Sequence, residues 1–312
     1  MTLTQTDPTQ QAPTANRTDA PITGLSLLAA GVTLLLWASA FAEISVALQG
    51  GYSPYSVALL RYLTASVLLA VYMLIRRTPL PDWRDLPGLA VVGFFGFTLY
   101  NIALNAGQQR VLPGVASFLI ASAPVYIALL ALLFSRERLT IIGWGGIALS
   151  FAGVGVISLV GEEGVGLNVY ALLVLLAALA GAAYAITLRR YLDKYGVLRT
   201  TTYAIWMGTA LMLVFLPGLL RQMQTATTSG TVAVIYLGIF PGAVGYMCWS
   251  YVLSKIPASI AGSFLYMIPL LATFIAWLRL GEVPGAPSFV GGVLIIAGVI
   301  AVNRFGRVKP VA

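Results

Sequence analysis

The sequence contains no histidine and a single cysteine, Cys248. Without histidine the commonest metal ligand and general base are missing, and a lone cysteine forms no internal disulfide, so zinc, redox and Ser-His chemistry find little support. Charge is scarce as well: 9% of the 312 residues are Asp, Glu, Lys or Arg, against about 25% in ordinary soluble domains. No Walker motif is present, so ATP would not drive a cycle directly. What fills the chain is apolar. With 59% hydrophobic residues and a mean hydropathy of +0.90, it reads as an all-α membrane protein that crosses the bilayer repeatedly. The net charge of +8 sits in short clusters between apolar runs, with no aromatic-interleaved basic face, so it marks topology and not nucleic acid.

Cutting the chain at charges and Gly/Pro turns leaves ten segments near the roughly 20 residues that a span requires. They lie near 25–49, 54–75, 87–108, 112–134, 140–160, 168–188, 200–220, 231–253, 257–278 and 286–303. Residues 1–24, rich in Thr, Gln, Pro and Asp, are expected to be a disordered tail, and 304–312 a short basic one. Ala38-Ser39-Ala40 has the small-residue form of a signal-peptidase site, but the apolar run continues past it and only Arg17 precedes it, so the expectation is an uncleaved first span. Lys and Arg alternate between connections: fourteen fall on the side that holds both tails, three on the other, and Arg61 alone lies within a span. That bias predicts both termini in the cytoplasm.

The halves match. Pro124 precedes Glu137 by thirteen residues, as Pro269 precedes Glu282, and a shift of 145 also carries Gly93, Gly146 and Gly153 onto Gly238, Gly291 and Gly298. With a one-residue gap Pro113 meets Pro257. The unit is five spans, 25–160 and then 161–303, and because five is odd the second copy enters the membrane inverted. Inverted repeats are the architecture of many secondary transporters, with the site between the halves near the bilayer midplane. A channel would need a filter repeated around a pore, and an enzyme would need a nucleophile, base or metal cluster; neither pattern is present, so the reading is non-enzymatic and requires no cofactor or metal.

These residues resemble the drug/metabolite transporter superfamily, specifically its ten-helix bacterial branch with two EamA-type domains. The resemblance covers about residues 25–303. It rests on Trp37-Ala-Ser-Ala-Phe41, on Ser53-Pro54 followed by Leu60-Arg61-Tyr62, and on Pro124 with Glu137-Arg138-Leu139-Thr140. It implies an inner-membrane exporter of small metabolites, amino acids or related amphipathic compounds first among them, working by alternating access in the lipid bilayer. Many relatives carry a lysine near Ser45; here it is absent and Glu43 stands two residues earlier. Ala42-Glu43-Ile44 is also similar to the first span of the small multidrug resistance family, which implies the alternative of proton-coupled efflux of cationic drugs or toxic organic compounds.

Glu43 is the only carboxylate inside a long apolar segment, where a charge costs about 2.5 to 3.5 kcal/mol at a helix centre. Arg61, on the next span, lies at the same distance from the Tyr52 turn, about 13 Å at 1.5 Å per residue. Equal depth does not fix which way the side chains face, so a Glu43–Arg61 pair and a pathway-facing Glu43 both stand. Asn101, Asn105 and Gln108 form one stripe at i, i+4 and i+7 beside Tyr100, and the repeat places Asn101 and Asn105 on Tyr246 and Ser250. Asn101 is the stronger pathway candidate, with Gln108 and Gln109 assigned to the outer interface. Trp37, Phe41, Tyr184, Tyr246, Trp249 and Tyr266 lie deep enough to wall a cavity for amphipathic cargo, although packing is the commoner use of such rings. Trp83, Tyr55 and Tyr236 suit the membrane boundary. Pro124 and Pro269 are repeat-related hinge candidates.

Overall fold

The computed structural model describes residues 23–135, 139–161, 164–165, 168–256, 261–262 and 264–305. Apart from one antiparallel pair, Val160–Gly161 with Gly164–Val165, the regular structure is helical. Helix α1 (Gly24–Gln49) starts where the Thr23 side chain accepts from Ser26 N, and α2 (Pro54–Ile75) starts with Ser53 as its cap and Pro54 in its first turn. Both satisfy donors that a helix start leaves open.

The third span is composite. Helix α3 (Leu86–Gly93) opens into a π-helical stretch, Phe94–Leu99, before α4 (Tyr100–Gly107). The next apolar segment breaks at Ala121 and Ser122 between α5 (Pro113–Ile120) and α6 (Ala123–Ser135), and α7 (Ile141–Leu159) follows. Helix α8 (Val169–Met212) is two helices meeting at a kink: the first continues past Arg190 and Lys194 and bends at Gly196, between the expected spans 168–188 and 200–220. The interruption is confined to Gly196, at φ 75° and ψ 168°, a region open to glycine and closed to other residues. After α9 (Leu216–Thr225), helices α10 (Thr228–Ile239) and α11 (Gly245–Lys255) flank a second π-helical stretch, Phe240–Val244. Helix α12 (Ile268–Leu280) ends at Gly281 in the left-handed conformation, and α13 (Ala286–Phe305) closes the described chain.

Seven of these helical segments are long and apolar enough to cross a membrane: Gly24–Gln49, Pro54–Ile75, Trp83–Gly107, Pro113–Leu130, Val169–Thr225, Thr228–Lys255 and Ala286–Phe305. Ile141–Ile157 and Leu265–Leu280 are shorter apolar helices. The duplication read from the sequence recurs in the irregularities. A shift of 145 lays the first π stretch over the second, and the break at Ala121–Ser122 over the 3-10 turn Leu265–Met267. Pro124 and Pro269 therefore stand in the first turn of a helix just after a break, where proline costs no hydrogen bond, and not in a helix interior.

Packing shows the same relation. Helices α7 and α13 run antiparallel with glycines at the crossing. A Cβ on Gly146 would stand 2.7 Å from Gly298 O and one on Gly291 would stand 2.7 Å from Gly153 O, and the reverse contacts are both 2.4 Å. Equivalent residues exchange equivalent contacts, as a twofold relation requires. The third and eighth spans pack likewise: Gly93 lies against Ala204 and Gly208 of α8, and Gly238 against Arg61 and Thr64 of α2. Small residues let backbones approach closely where lipid supplies no hydrophobic drive for association.

Candidate functional site

Pro54 and Arg61 lie seven residues apart on α2, and Asn105 and Asn101 lie four apart on α4, so each pair occupies one helical face. The two faces meet. Asn105 Nδ2 donates to Pro54 O at 3.0 Å, and one turn away Arg61 Nη1 donates to Asn101 Oδ1 at 3.2 Å. Asn101 Nδ2 then donates to Tyr62 Oη at 3.2 Å and to Phe97 O, inside the π stretch, at 2.9 Å. The i→i+5 pattern loosens carbonyls from the helical ladder, and a neighbouring amide takes one up. Gln108 extends the stripe to α1 by donating Nε2 to Phe41 O at 2.8 Å. It is 5% exposed, so it belongs to the helix contacts and not to the outer interface. Asn105 and Gln108 thus fasten α4 to its neighbours, while Asn101 positions a cation.

The aromatic candidates converge on the same place. Trp37 of the first half donates Nε1 to Pro241 O of the second π stretch at 3.2 Å, so a side-chain N–H takes up a carbonyl of each π stretch. Its ring lies 5.3 Å from Tyr246 and 5.4 Å from Trp249. Phe97 continues the series, 5.9 Å from Tyr246, 5.5 Å from Tyr184 and 5.2 Å from Tyr62, all edge-on. Tyr62, Tyr184, Arg61 and Tyr100 lie within electrostatic reach of the Tyr246 hydroxyl. Glycines make the room: a Cβ on Gly96 would stand 2.3 Å from the Tyr184 ring and one on Gly245 would stand 2.9 Å from Trp37 Nε1. Rings from both halves thus form one tilted series, Trp249–Trp37–Tyr246–Phe97–Tyr62, whose Tyr62 end lies against the Arg61–Asn101 pair.

Glu43 has a different partner from the one its depth suggests. Arg279 Nε donates to Glu43 Oε1 at 3.0 Å, joining α1 to the end of α12 across 236 residues of sequence. Arg61 points to α4 instead. Phe41 is buried, and its contribution is the carbonyl that Gln108 binds. Tyr266 stands apart from the wall, its hydroxyl accepting from Asn303 near the end of α13. Among the boundary aromatics, Trp83 is exposed and Tyr55 stacks on Phe215 at 4.9 Å, whereas Tyr236 shares a 2.8 Å hydrogen bond with Ser39. Glu137 and Arg138 lie outside the described residues.

Two participants were missed in the sequence reading. Phe97 lies at i−4 from Asn101, so the polar stripe itself carried that signal. Arg279 counts as a loop charge beside Gly281, and nothing local announces a contact in the other half. Among the described residues no three His, Cys, Asp or Glu side chains gather as a metal site would need.

A profile of the EamA-like transporter family matches the chain twice, over residues 24–159 and 168–304. The chain belongs to the EamA-like transporter family. This EamA-like protein is 40% identical over 281 residues to the uncharacterized transporter YdfC of Bacillus subtilis, covering 88% of this chain and 90% of that one. It is 37% identical over 276 residues to the "Probable terminal-alkyne amino-acid exporter" of Streptantibioticus cattleyicolor, covering 88% and 91%. A solved crystal structure shares the fold with a TM-score of 0.58 at 20% identity, covering 88% of this chain and 95% of that one. The EamA-like chain is thus a multi-pass membrane protein of a transporter family, and relatives include the uncharacterized inner membrane transporter YedA of Escherichia coli, at 23% identity.

Proposed function

We propose that this protein is a secondary-active exporter of small metabolites, amino acids or related amphipathic compounds, that leaves its cargo chemically unchanged. The observation that carries the reading is the series of Trp37, Phe97, Tyr184, Tyr246 and Trp249, drawn from both repeats, that reaches through Tyr62 to the buried Arg61. Such a site suits a molecule with an apolar body and one polar end. The name of the Streptantibioticus relative supports the amino-acid choice.

Ten spans in two inverted five-helix repeats, 25–160 and 161–303, with both termini cytoplasmic, complete the proposal. The Gly196 bend, which divides the longest helix, and the two shorter apolar helices support the number. The reciprocal glycine contacts of α7 and α13 support the inversion. Alternating access would rock the halves about the π stretches and about the breaks beside Pro124 and Pro269, where few helical hydrogen bonds must change. In the same reading Glu43, Arg61, Tyr100, Asn101 and Tyr246 border the route, while Asn105, Phe41 and Tyr266 serve its frame. Pairing of Glu43 with Arg279 disfavours the cationic-drug alternative, because a carboxylate already bound to a guanidinium is not free to receive an ammonium.

Counterflow in proteoliposomes tests the reading. Vesicles loaded with an unlabelled amino acid should accumulate its labelled form transiently. A panel of amino acids, organic cations and nucleosides at two pH values that gives counterflow only for the cations refutes it.

A further inference from the structure

Arg61 is the one cation within an apolar span, and it is 6% exposed. Its guanidinium makes one hydrogen bond among the described residues, through Nη1 to Asn101, and its Cζ lies 5.2 Å from the centroid of the Tyr62 ring. Nε is buried without a partner, and the ion pairs of the described residues all involve other cations. Arginine cannot escape this position by losing its proton, as a buried lysine can. Burial of such a charge is costly unless opposite charge, hydrogen bonds or aromatic faces offset it, and one hydrogen bond and one ring offset this one only in part.

The geometry narrows what that is. Asn101 holds Nη1 and is itself fixed by Tyr62 and Phe97. That leaves the Nε–Nη2 edge of the guanidinium, whose two parallel N–H groups match the two oxygens of a carboxylate. One guanidinium, with no second cation beside it among the described residues, balances a monoanion and leaves a phosphate dianion undercompensated. The aromatic wall adjoins it: the Tyr62 ring beside the guanidinium lies 5.2 Å from Phe97, and Phe97 lies 5.9 Å from Tyr246.

We propose that Arg61 is the carboxylate anchor of the cargo site: its Nε–Nη2 edge receives the carboxylate, Asn101 positions the guanidinium, and the Trp37–Tyr246–Phe97 wall receives the organic body. The cargo class is accordingly monocarboxylates with an apolar group, amino-acid zwitterions included. This rests on the transport reading for its biological meaning, but the binding site stands or falls separately.

The experiment measures thermal unfolding of the purified full-length protein in detergent with 3-phenylpropanoate, its neutral isostere 3-phenylpropanamide, and the standard amino acids, each against matched sodium chloride. A saturable rise in midpoint with the carboxylate or with amino acids, absent with the amide, is expected. Arg61→Gln should abolish the rise, and Arg61→Lys, which keeps the charge and loses the fork, should weaken the apparent affinity at least tenfold. An equal response to the amide, an undiminished response in Arg61→Gln, or no response of the native protein to any carboxylate overturns the assignment. If neither variant folds, the comparison of carboxylate and amide on the native protein decides. Binding that obeys these rules without counterflow would refute the export reading and leave the anchor intact, while counterflow of neutral compounds alone would do the reverse.

Discussion

Removal of Arg279 is expected to destabilise this protein more than removal of its partner Glu43, although both substitutions delete the same ion pair. The Glu43 side chain is 15% exposed and that of Arg279 is 52% exposed. Arg279→Ala strands a mostly buried carboxylate in an apolar span, at about 2 kcal/mol, somewhat less than the cost at a helix centre because Glu43 lies nearer the helix end. Glu43→Ala strands a guanidinium that can extend to the interface, so the loss is that of a half-exposed pair, about 0.5 to 1 kcal/mol. The double substitution removes the stranded charge as well and should cost about as much as Glu43→Ala alone, which gives a coupling of about 2 kcal/mol. Equilibrium unfolding in mixed micelles of increasing SDS content measures all three. Equal single costs or an additive double variant would refute the reasoning. Glu43→Ala combined with Arg61→Lys should be additive within about 0.5 kcal/mol, since Arg61 is engaged with Asn101.

Other substitutions separate scaffold from site. Gly153→Ala and Gly291→Ala each force a methyl against a carbonyl in the partner helix and should cost about 1 to 3 kcal/mol in the same unfolding assay. Gly155→Ala, where a Cβ meets nothing within 4 Å, should be neutral or stabilising by up to about 1 kcal/mol, and a large loss there would discredit the crossing geometry. Asn105→Ala should cost about 0.6 to 2 kcal/mol and leave counterflow near the native rate, whereas Asn101→Ala should lower counterflow at least tenfold by releasing Arg61. Gly245→Ala would push on Trp37 Nε1 and should shift the tryptophan emission maximum and weaken cargo affinity. An unaltered spectrum with unaltered affinity would show that the Trp37 ring is not seated on that glycine.

Much of the framework was legible in the residues because transfer of a segment into lipid depends on local composition. Span limits fell within a few residues of helix ends for Gly24–Gln49, Pro54–Ile75 and Ala286–Phe305, where caps and charges coincide with the end of the apolar run. Around Arg190 and Lys194 the helix runs beyond the expected span end as far as the Gly196 kink, since a helix that leaves the membrane need not stop when its residues become charged. Glycines 146, 153, 291 and 298 stand out in the sequence as repeat-related pairs, and in the fold each lies close against the partner helix. The first π stretch, Phe94–Leu99, had no such signature and its widened turn shows only in the folded backbone, whereas the second, Phe240–Val244, contains Pro241-Gly242, a pair that disturbs a helix.

Glu43 and Arg61 mark the division most clearly. Hydropathy and charge placement alone determined that each is an expensive residue within a span, and spacing alone determined that Asn101 shares a face with Asn105. Which groups they meet was decided by the rotation of each helix about its own axis and by the docking of one repeat on the other. Those variables direct Glu43 to Arg279, 236 residues away, and leave Arg61 with Asn101 and a buried, unpartnered Nε. A one-dimensional pattern records depth in the membrane. Azimuth and partner arise only when the helices pack.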